Sequence, residues 1–199
     1  GVPRLFLTSL PQDLPQIGSV EARKRLFIKS ILPLILRVNE KIETDRLKLV
    51  GLMRRSMSGK RLSTEDQQWL KRLTDVYELK ALDYKQLLWR HDIIPPSLAL
   101  GQAIIESGWG TSRFAQQGNA VFGQWTFKKG SGIIPQDRDV GKRHEVKAFR
   151  YLEESVFQYV LNLNRHLAYR EFRTRRASMR VKGKTIDGYS LASTLTRYS

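Results

Sequence analysis

The most chemically informative residue in the sequence is Glu106. It closes the apolar run 103–105, and Ser107 and Gly108 follow it at once and should end the helix. Apolar neighbours disfavour a charged carboxyl, the negative end of a helix dipole repels it, and the adjacent Trp109 keeps water away. All three effects predict a raised pKa. A carboxyl that keeps its proton near neutral pH is what a general acid needs to protonate a leaving sugar oxygen.

The alternative is that Glu106 is an ordinary solvated acid in the last turn of its helix, as most glutamates are. The neighbouring residues argue against this, because two isoleucines precede Glu106 and a Gly-Trp-Gly sequence follows shortly after it. Glycines on both sides of Trp109 allow a chain or a sugar to approach its indole face closely. The competing interpretation of Trp109 is an ordinary core aromatic.

Hydrophobic spacing predicts that the elements around Glu106 are mainly helical. Residues 1–18 carry three prolines, which is typical of an extended arm. The predicted helices are 19–49 with a kink or interruption at Pro33, 63–79, 83–89, 95–107 at the centre of a domain, a short one capped by Thr111 or Ser112 and ending near Gly118, and 153 to beyond Tyr169. Residues 119–150 are richer in Gly and Pro and alternate apolar with polar side chains at 144–149, which predicts a small β hairpin or sheet.

Composition narrows the class of partner. The chain has 199 residues with 35 Lys and Arg against 19 Asp and Glu, so its formal net charge is +16. This excess favours nucleic acid, an anionic membrane face or an acidic cell-wall polymer. No run approaches the roughly 18–20 apolar residues of a membrane-spanning helix. The absence of cysteine excludes disulfides, thiolate nucleophiles and cysteine-ligated metals.

Two segments of the sequence resemble a known family. They are AIIESGWGTSRFAQQGNAVFGQW (103–125) and VKAFRYLEESVFQYV (146–160). Both resemble the bacterial glucosaminidases, which include autolysins and the muramidase domain of flagellar rod proteins, and within them the Bax-like envelope proteins. The resemblance covers about residues 90–199 and implies a lysozyme-like domain there, with residues 1–89 as an N-terminal arm and helical extension. The implied fold class is α+β, mainly helical, with a small β lobe.

The resemblance also implies a reaction, the cleavage of peptidoglycan glycan strands after N-acetylglucosamine by an endo-β-N-acetylglucosaminidase. The catalytic acid of the family carries over to Glu106. The family's NLFG segment matches Phe122 and Gly123, and Asn119 matches its leading Asn only with an inserted alanine. An aromatic in a late GYA segment matches Tyr189 beside the cleft. The residues expected to contact substrate are Trp109, Phe122, Gly123, Trp125 and Tyr189.

The second carboxylate of the reaction is open at this point. The family places a Glu in the β lobe, and the equivalent position falls near Asp137 and Asp139, with Glu145 as a further candidate. We favour Asp137, although Asp is also a common solvated turn residue. Activation of a water by this carboxylate would be consistent with an inverting mechanism, whereas attack by the substrate's own acetamido group would need no second carboxylate.

Other functional classes have weaker support. His91, His144 and His166 are isolated, so neither a metal site, a nucleophilic triad nor a cofactor is predicted. The basic run 165–180 interleaves aromatics with arginines, which fits a nucleic-acid grip, a cationic helix face or attraction to peptidoglycan carboxylates. The alternatives to a hydrolase are thus a basic nucleic-acid-binding module and a non-catalytic glycan-binding protein of lysozyme-like fold.

The expected partner is peptidoglycan or another glycan that contains N-acetylglucosamine. We expect no nucleic-acid partner and no transmembrane segment. We also expect a monomer, located in the bacterial cell envelope and specifically in the periplasm.

Overall fold

The computed structural model describes residues 1–135 and 144–195. The helices in this part are α1 (Val20–Met57), α2 (Thr64–Val76), α3 (Tyr84–Arg90), α4 (Pro96–Ser107), α5 (Arg113–Gly118), α6 (Leu152–Arg165), α7 (Arg170–Val181) and α8 (Gly188–Ala192). Strands β1 (Trp125–Thr126), β2 (Gly132–Ile133) and β3 (Glu145–Lys147) form an antiparallel sheet in the order β1-β3-β2. The predicted class, a mainly helical α+β fold with a small β lobe, is confirmed, and it is consistent with a lysozyme-like fold.

Two compact units make up the chain. The first unit holds Gly1–Val38 and Pro96–Tyr159, and the second holds Asn39–Pro95 and the chain from Val160 onward. Glu106 and the β lobe belong to the first unit. The sequence division at residue 89 is drawn from family resemblance rather than from compactness, and it stays a prediction. None of the described helices is long and apolar enough to cross a membrane.

Side-chain caps begin several helices where the sequence predicts them. The hydroxyls of Ser19, Ser63 and Ser112 each accept the backbone amide three residues later, at 3.1–3.2 Å. Such caps satisfy amide groups that have no partner within the helix. The predicted extended arm is confirmed as well, since residues 1–19 contain only one short 3₁₀ turn, Leu14–Gln16.

Three helix predictions need correction. An interruption at Pro33 is wrong, because α1 continues through it with buried Ile31, Leu34 and Ile35 around the proline. Helix α2 ends at Val76 rather than 79, and Glu78 just beyond it adopts a left-handed φ of 52°. Helix α6 ends at Arg165, because His166 leaves the helix and caps a 3₁₀ turn, Leu167–Tyr169.

Helix α4, which carries Glu106, is buried on one side only. Leu98, Ala99 and Ala103 are buried, whereas Ile105 is 73% exposed. The expectation of a helix at the centre of a domain, drawn from its apolar residues on nearly every face, is therefore met on one side only. The exposed isoleucine beside Glu106 leaves an apolar surface next to the acid.

The second unit is organised around a buried carboxylate, Asp92, which is 2% exposed. Arg180 donates two hydrogen bonds to it, at 2.6 and 2.9 Å, and Arg46 and Arg176 lie within 3.5 and 3.8 Å. Burial alone would raise the pKa of Asp92. The hydrogen bond from Arg180 and the charges of Arg176 and Arg46 outweigh burial, so the pKa is lowered.

Two arginines of α7, Arg173 and Arg176, are almost completely buried. The guanidinium of Arg176 donates to four backbone carbonyls at and after the end of α3, on Trp89, Arg90, Asp92 and Ile93, and to the side chain of Asn164. Helix ends leave such carbonyls without intrahelical partners, so a cation there satisfies them. Burial lowers the pKa of both arginines to about 10, which leaves them charged at neutral pH.

These contacts change the interpretation of the basic run 165–180. Besides the two buried arginines, Arg180 pairs with Asp92, Arg175 with Glu171 and Arg165 with Glu78. Most of the guanidinium groups of this run therefore form hydrogen bonds or ion pairs within the protein. This weakens two interpretations of the run, as a nucleic-acid-binding surface and as a solvated cationic helix face.

We predict that Asp92→Asn lowers the free energy of unfolding by about 3–5 kcal/mol, because three buried or partly buried arginines lose their counter-charge. The stabilisation is present above the unfolded pKa of Asp92, near 3.9, and is lost as pH falls through the lowered folded value. Urea denaturation at several pH values measures both effects, and the variant should lack this acid-dependent loss.

The matched control is Asp75→Asn, which removes an exposed i,i+4 partner of Lys71. Such surface pairs contribute about 0.5 kcal/mol or less. Equal losses in the two variants would contradict the role given to Asp92.

Candidate active site

Helix α4 ends in a left-handed turn directly after Glu106. Gly108, Trp109 and Gly110 all have positive φ values, of 56°, 60° and 76°. Glycine adopts this region at little cost, but a tryptophan there costs on the order of 1–3 kcal/mol. Ser107 holds the turn, since its hydroxyl donates to the Ala103 carbonyl at 2.5 Å and accepts the Gly110 amide at 2.8 Å.

The carboxyl group of Glu106 lies against the backbone of Gly123. A β-carbon on Gly123 would lie 2.9 Å from Oε2 of Glu106, and the φ of Gly123 is +60°. The backbone conformation favours glycine at this position, and a residue with a β-carbon would have to push the Glu106 carboxyl aside. The structure thus brings together two of the residues selected from the sequence, although they lie on different elements.

Burial raises the pKa of Glu106, in the direction predicted from the sequence. In the part of the chain that the structure describes, no side chain donates a hydrogen bond that would stabilise the charged carboxylate. The neighbouring Ile105 is exposed, so it contributes less to this burial than its position in the sequence suggests. A carboxyl that keeps its proton to a higher pH than an ordinary glutamate can act as a general acid.

Trp109 packs against α1. Its ring meets that of Phe27 edge to face, with centroids 6.1 Å apart, and Nζ of Lys24 lies 4.8 Å from the indole centroid. These contacts favour the core-aromatic interpretation of Trp109. The ring stays partly exposed, and sugar stacking on it stays a prediction.

Phe122 and Asn119 support the site rather than line it. Phe122 is 1% exposed and stacks on Tyr159 with centroids 4.0 Å apart, so its burial does not fit the predicted contact with substrate. Asn119 ends α5 in a left-handed conformation, and its amide donates to the carbonyls of Phe149 and Arg150. These residues fix the segment that leads to Gly123.

Trp125, two residues after Gly123, offers an exposed aromatic surface. It is 59% exposed, and its ring lies 4.0 Å from that of His144. Phe127, which directly follows strand β1, is also exposed. The β lobe therefore presents an aromatic surface a short distance along the chain from Gly123.

Comparison with known proteins identifies the family. Residues 81–198 match the glucosaminidase family model, described as mannosyl-glycoprotein endo-beta-N-acetylglucosaminidase. The chain belongs to the glucosaminidase family.

Two relatives agree with this family. The chain is 33% identical to "Protein bax" of Escherichia coli (strain K12) over 198 residues, which cover 96% of this chain and 69% of that protein. It is 34% identical to "Exo-glucosaminidase LytG" of Bacillus subtilis (strain 168) over 76 residues, 37% of this chain and 27% of LytG. No solved structure matches the chain. The resemblance drawn from the two sequence segments is confirmed.

The candidates for the second carboxylate in this glucosaminidase fall into two groups. Asp137 and Asp139 lie outside the described residues. Glu145 is buried in β3, and its two oxygens accept the backbone amides of Gly130 and Gly132 at 3.0 and 2.9 Å. Both oxygens are thus occupied in holding the β lobe. Glu145 therefore fits a structural role and not the activation of a water.

Two further residues considered in the sequence analysis, Tyr189 and His91, lie in the second unit. Tyr189 stands in α8, where it is 92% exposed, and its predicted place beside the acid stays a prediction. The ring of His91 is buried and bonds to the hydroxyl of Tyr77 at 2.8 Å, which is a structural role. Within the described ranges no group of three His, Asp or Glu residues could hold a metal ion.

We predict that Gly123→Ala lowers glycan hydrolysis by about 10²-fold, because the added β-carbon must displace the Glu106 carboxyl and misplacements of about 1 Å can have effects of this size. Gly183→Ala is the matched control. Gly183 has nearly the same φ, +62°, but open space where a β-carbon would lie. In thermal unfolding, Gly123→Ala and Gly183→Ala should lose similar amounts of stability. In turnover of purified glycan, Gly123→Ala should be much less active than Gly183→Ala, and equal activities would contradict the contact.

Proposed function

We propose that this glucosaminidase cleaves the glycan strand of peptidoglycan after N-acetylglucosamine, with Glu106 as the general acid. The observation that carries the proposal is the Glu106 carboxyl packed against Gly123 with a raised pKa. The family supports a glycan substrate and a hydrolase. Peptidoglycan lies outside the cytoplasm, so we place the protein in the cell envelope, in the periplasm.

In the proposed reaction the protonated carboxyl of Glu106 donates its proton to the glycosidic oxygen as the bond from that oxygen to the anomeric carbon breaks. Positive charge then develops on the sugar ring, and a nucleophile adds to the anomeric carbon. A water activated by Asp137 or Asp139, with Asp137 preferred, would invert the configuration. Attack by the acetamido oxygen of the substrate is the alternative and needs no second carboxylate.

The exposed aromatic side chains of the β lobe suit a sugar polymer. The exposed ring of Trp125 can stack on the apolar face of a pyranose, and Phe127, two residues further along the chain, is exposed as well. The excess positive charge of the chain, +16, attracts the carboxylates of muramic acid and the stem peptides. This accounts for the charge without nucleic acid, whose proposed grip is weakened by the internal pairing of the basic run.

The family and LytG differ in the position of the cut that their names give, since the family is described as endo and LytG as exo. We propose endo cleavage. The lengths of the early products from a long glycan strand separate the two: internal cuts give a broad mixture of lengths, whereas terminal cuts release small sugars first.

We predict that Glu106→Gln folds and lowers the release of reducing ends from purified peptidoglycan by about 10²–10⁴-fold, the range that a general acid contributes. Glu65→Gln, which changes an exposed acid in the first turn of α2, should retain full activity. Wild-type turnover in the Glu106 variant would refute the role. A wild-type protein that binds the glycan without cutting it would favour the non-catalytic alternative.

The raised pKa of Glu106 predicts how the activity and stability of the wild-type protein and the stability of the Glu106→Gln variant depend on pH. Wild-type activity should fall as pH rises through this pKa, which lies above the ordinary value of about 4.3. Because the folded state disfavours the charged carboxyl, wild-type stability should also fall as pH rises from the unfolded to the folded value. The Gln variant should therefore equal wild type below about pH 4 and be more stable near neutral pH.

We predict that Trp125→Ala raises KM by about 5–30-fold with kcat within about 2-fold, because the loss of a stacked ring costs about 1–2 kcal/mol of binding. Trp125→Phe retains an aromatic face and should recover most of the affinity. Steady-state kinetics on an N-acetylglucosamine oligomer measure both variants. A fall in kcat with unchanged KM would contradict a binding role.

A further inference from the structure

The N-terminal segment, Gly1–Val38, lies against the left-handed turn that follows Glu106. Gly110 is the point of contact. A β-carbon on it would lie 2.7 and 2.9 Å from two carbons of the Phe27 ring and 3.0 Å from Cδ1 of Leu10. The backbone of Gly110 is thus packed directly on these two side chains. Both belong to the first unit, together with Glu106.

The same phenylalanine contacts the strained residue of the turn. Trp109 has a φ of 60°, a conformation that a non-glycine residue keeps only where its surroundings hold it. The edge-to-face contact with Phe27 and the ammonium of Lys24 above the indole hold its ring on α1. The Trp109 amide also donates to the carbonyl of Ile104, which ties the turn to the last turn of α4.

The N-terminal segment is itself firmly attached to the first unit. Leu10, Leu14 and Phe27 are fully or almost fully buried. The amide of Leu152 donates to the carbonyl of Thr8 at 2.8 Å. A segment fixed in this way can hold the turn in place, whereas a loose arm could not.

We propose that Phe27, assisted by Leu10 and Lys24, is a positioning residue for Glu106. By holding Trp109 and Gly110, it fixes the end of α4 and therefore the direction of the acid toward Gly123. The N-terminal segment lies outside residues 81–198, which match the family model, so this part of the site is an addition to the family domain. The inference rests on the proposed role of Glu106.

The main test compares Phe27→Ala with Leu34→Ala in the full chain. Leu34 is equally buried on the same helix, about 10 Å further along it, so its truncation serves as the control for a general loss of stability. With Phe27→Ala we expect kcat on an N-acetylglucosamine oligomer to fall about 10-fold or more, with KM within about 2-fold. We also expect the descending limb of the pH profile to move to lower pH, because water reaches the acid. Leu34→Ala should leave both unchanged.

A second pair of variants, at exposed lysines, tests the same proposal if Phe27→Ala does not fold. Lys24 and Lys29 are both exposed on the same helix, and Nζ of Lys24 lies over the Trp109 ring. Lys24→Met should lower kcat about 2- to 5-fold, as expected for loss of an exposed cation–π contact, and Lys24→Arg should restore it. Lys29→Met should have no effect. Equal kcat in the Lys24 and Lys29 variants would count against the proposal.

A readout without substrate separates this inference from the proposed function. Hydrogen exchange of the Trp109 and Gly110 amides should be faster in Phe27→Ala than in Leu34→Ala, whether or not the protein cuts glycan. If wild type hydrolyses glycan and the two alanine variants agree in kcat, pH limb and exchange, the positioning role is overturned. If wild type does not hydrolyse glycan, the proposed function fails, and the amide exchange decides whether Phe27 holds the turn.

Discussion

The close contact between the Glu106 carboxyl and the Gly123 backbone is the constraint on which the rest of the first unit depends. The contact needs a residue without a β-carbon and with a left-handed backbone at 123. It also needs the acid to project from the last turn of its helix, where burial favours the protonated form. The left-handed turn after α4 meets the second need by ending the helix abruptly.

Charge in this protein serves structure as well as solubility. The formal charge of +16 suggests an open cationic surface, but the buried Arg176 of α7 binds backbone carbonyls and lies 3.8 Å from the carboxylate of Asp92. In the β lobe, Glu145 performs the complementary task by accepting two backbone amides. In both cases a buried charge is satisfied by main-chain groups that would otherwise lack partners, which is the condition for burying it.

Local signals predict much of this structure, and contacts between distant residues account for the rest. Serine caps and the helix that carries Glu106 depend on neighbours within a few residues. The sequence also predicts the β lobe and the direction of the Glu106 pKa, but the strands pair residues as far apart as Trp125 and Val146, and burial in the folded protein raises the pKa. The packing of Trp109 on Phe27 depends on residues far apart in the sequence, with no pattern that links them. The sequence of the arginine-rich helix also does not show that Arg176 points inward. The partners of Arg176 are mainly backbone carbonyl groups, which every residue has.

The contacts of Gly110 also set an order of assembly. Because the ribosome makes the chain from its amino end, Leu10 and Phe27 exist before the turn that packs on them, and Gly123 is added later still. Because burial raises the pKa of Glu106, a chain that has not yet folded carries Glu106 as an ordinary hydrated carboxylate. Its acidity changes only when tertiary structure has formed, so incomplete and unfolded chains lack the raised pKa.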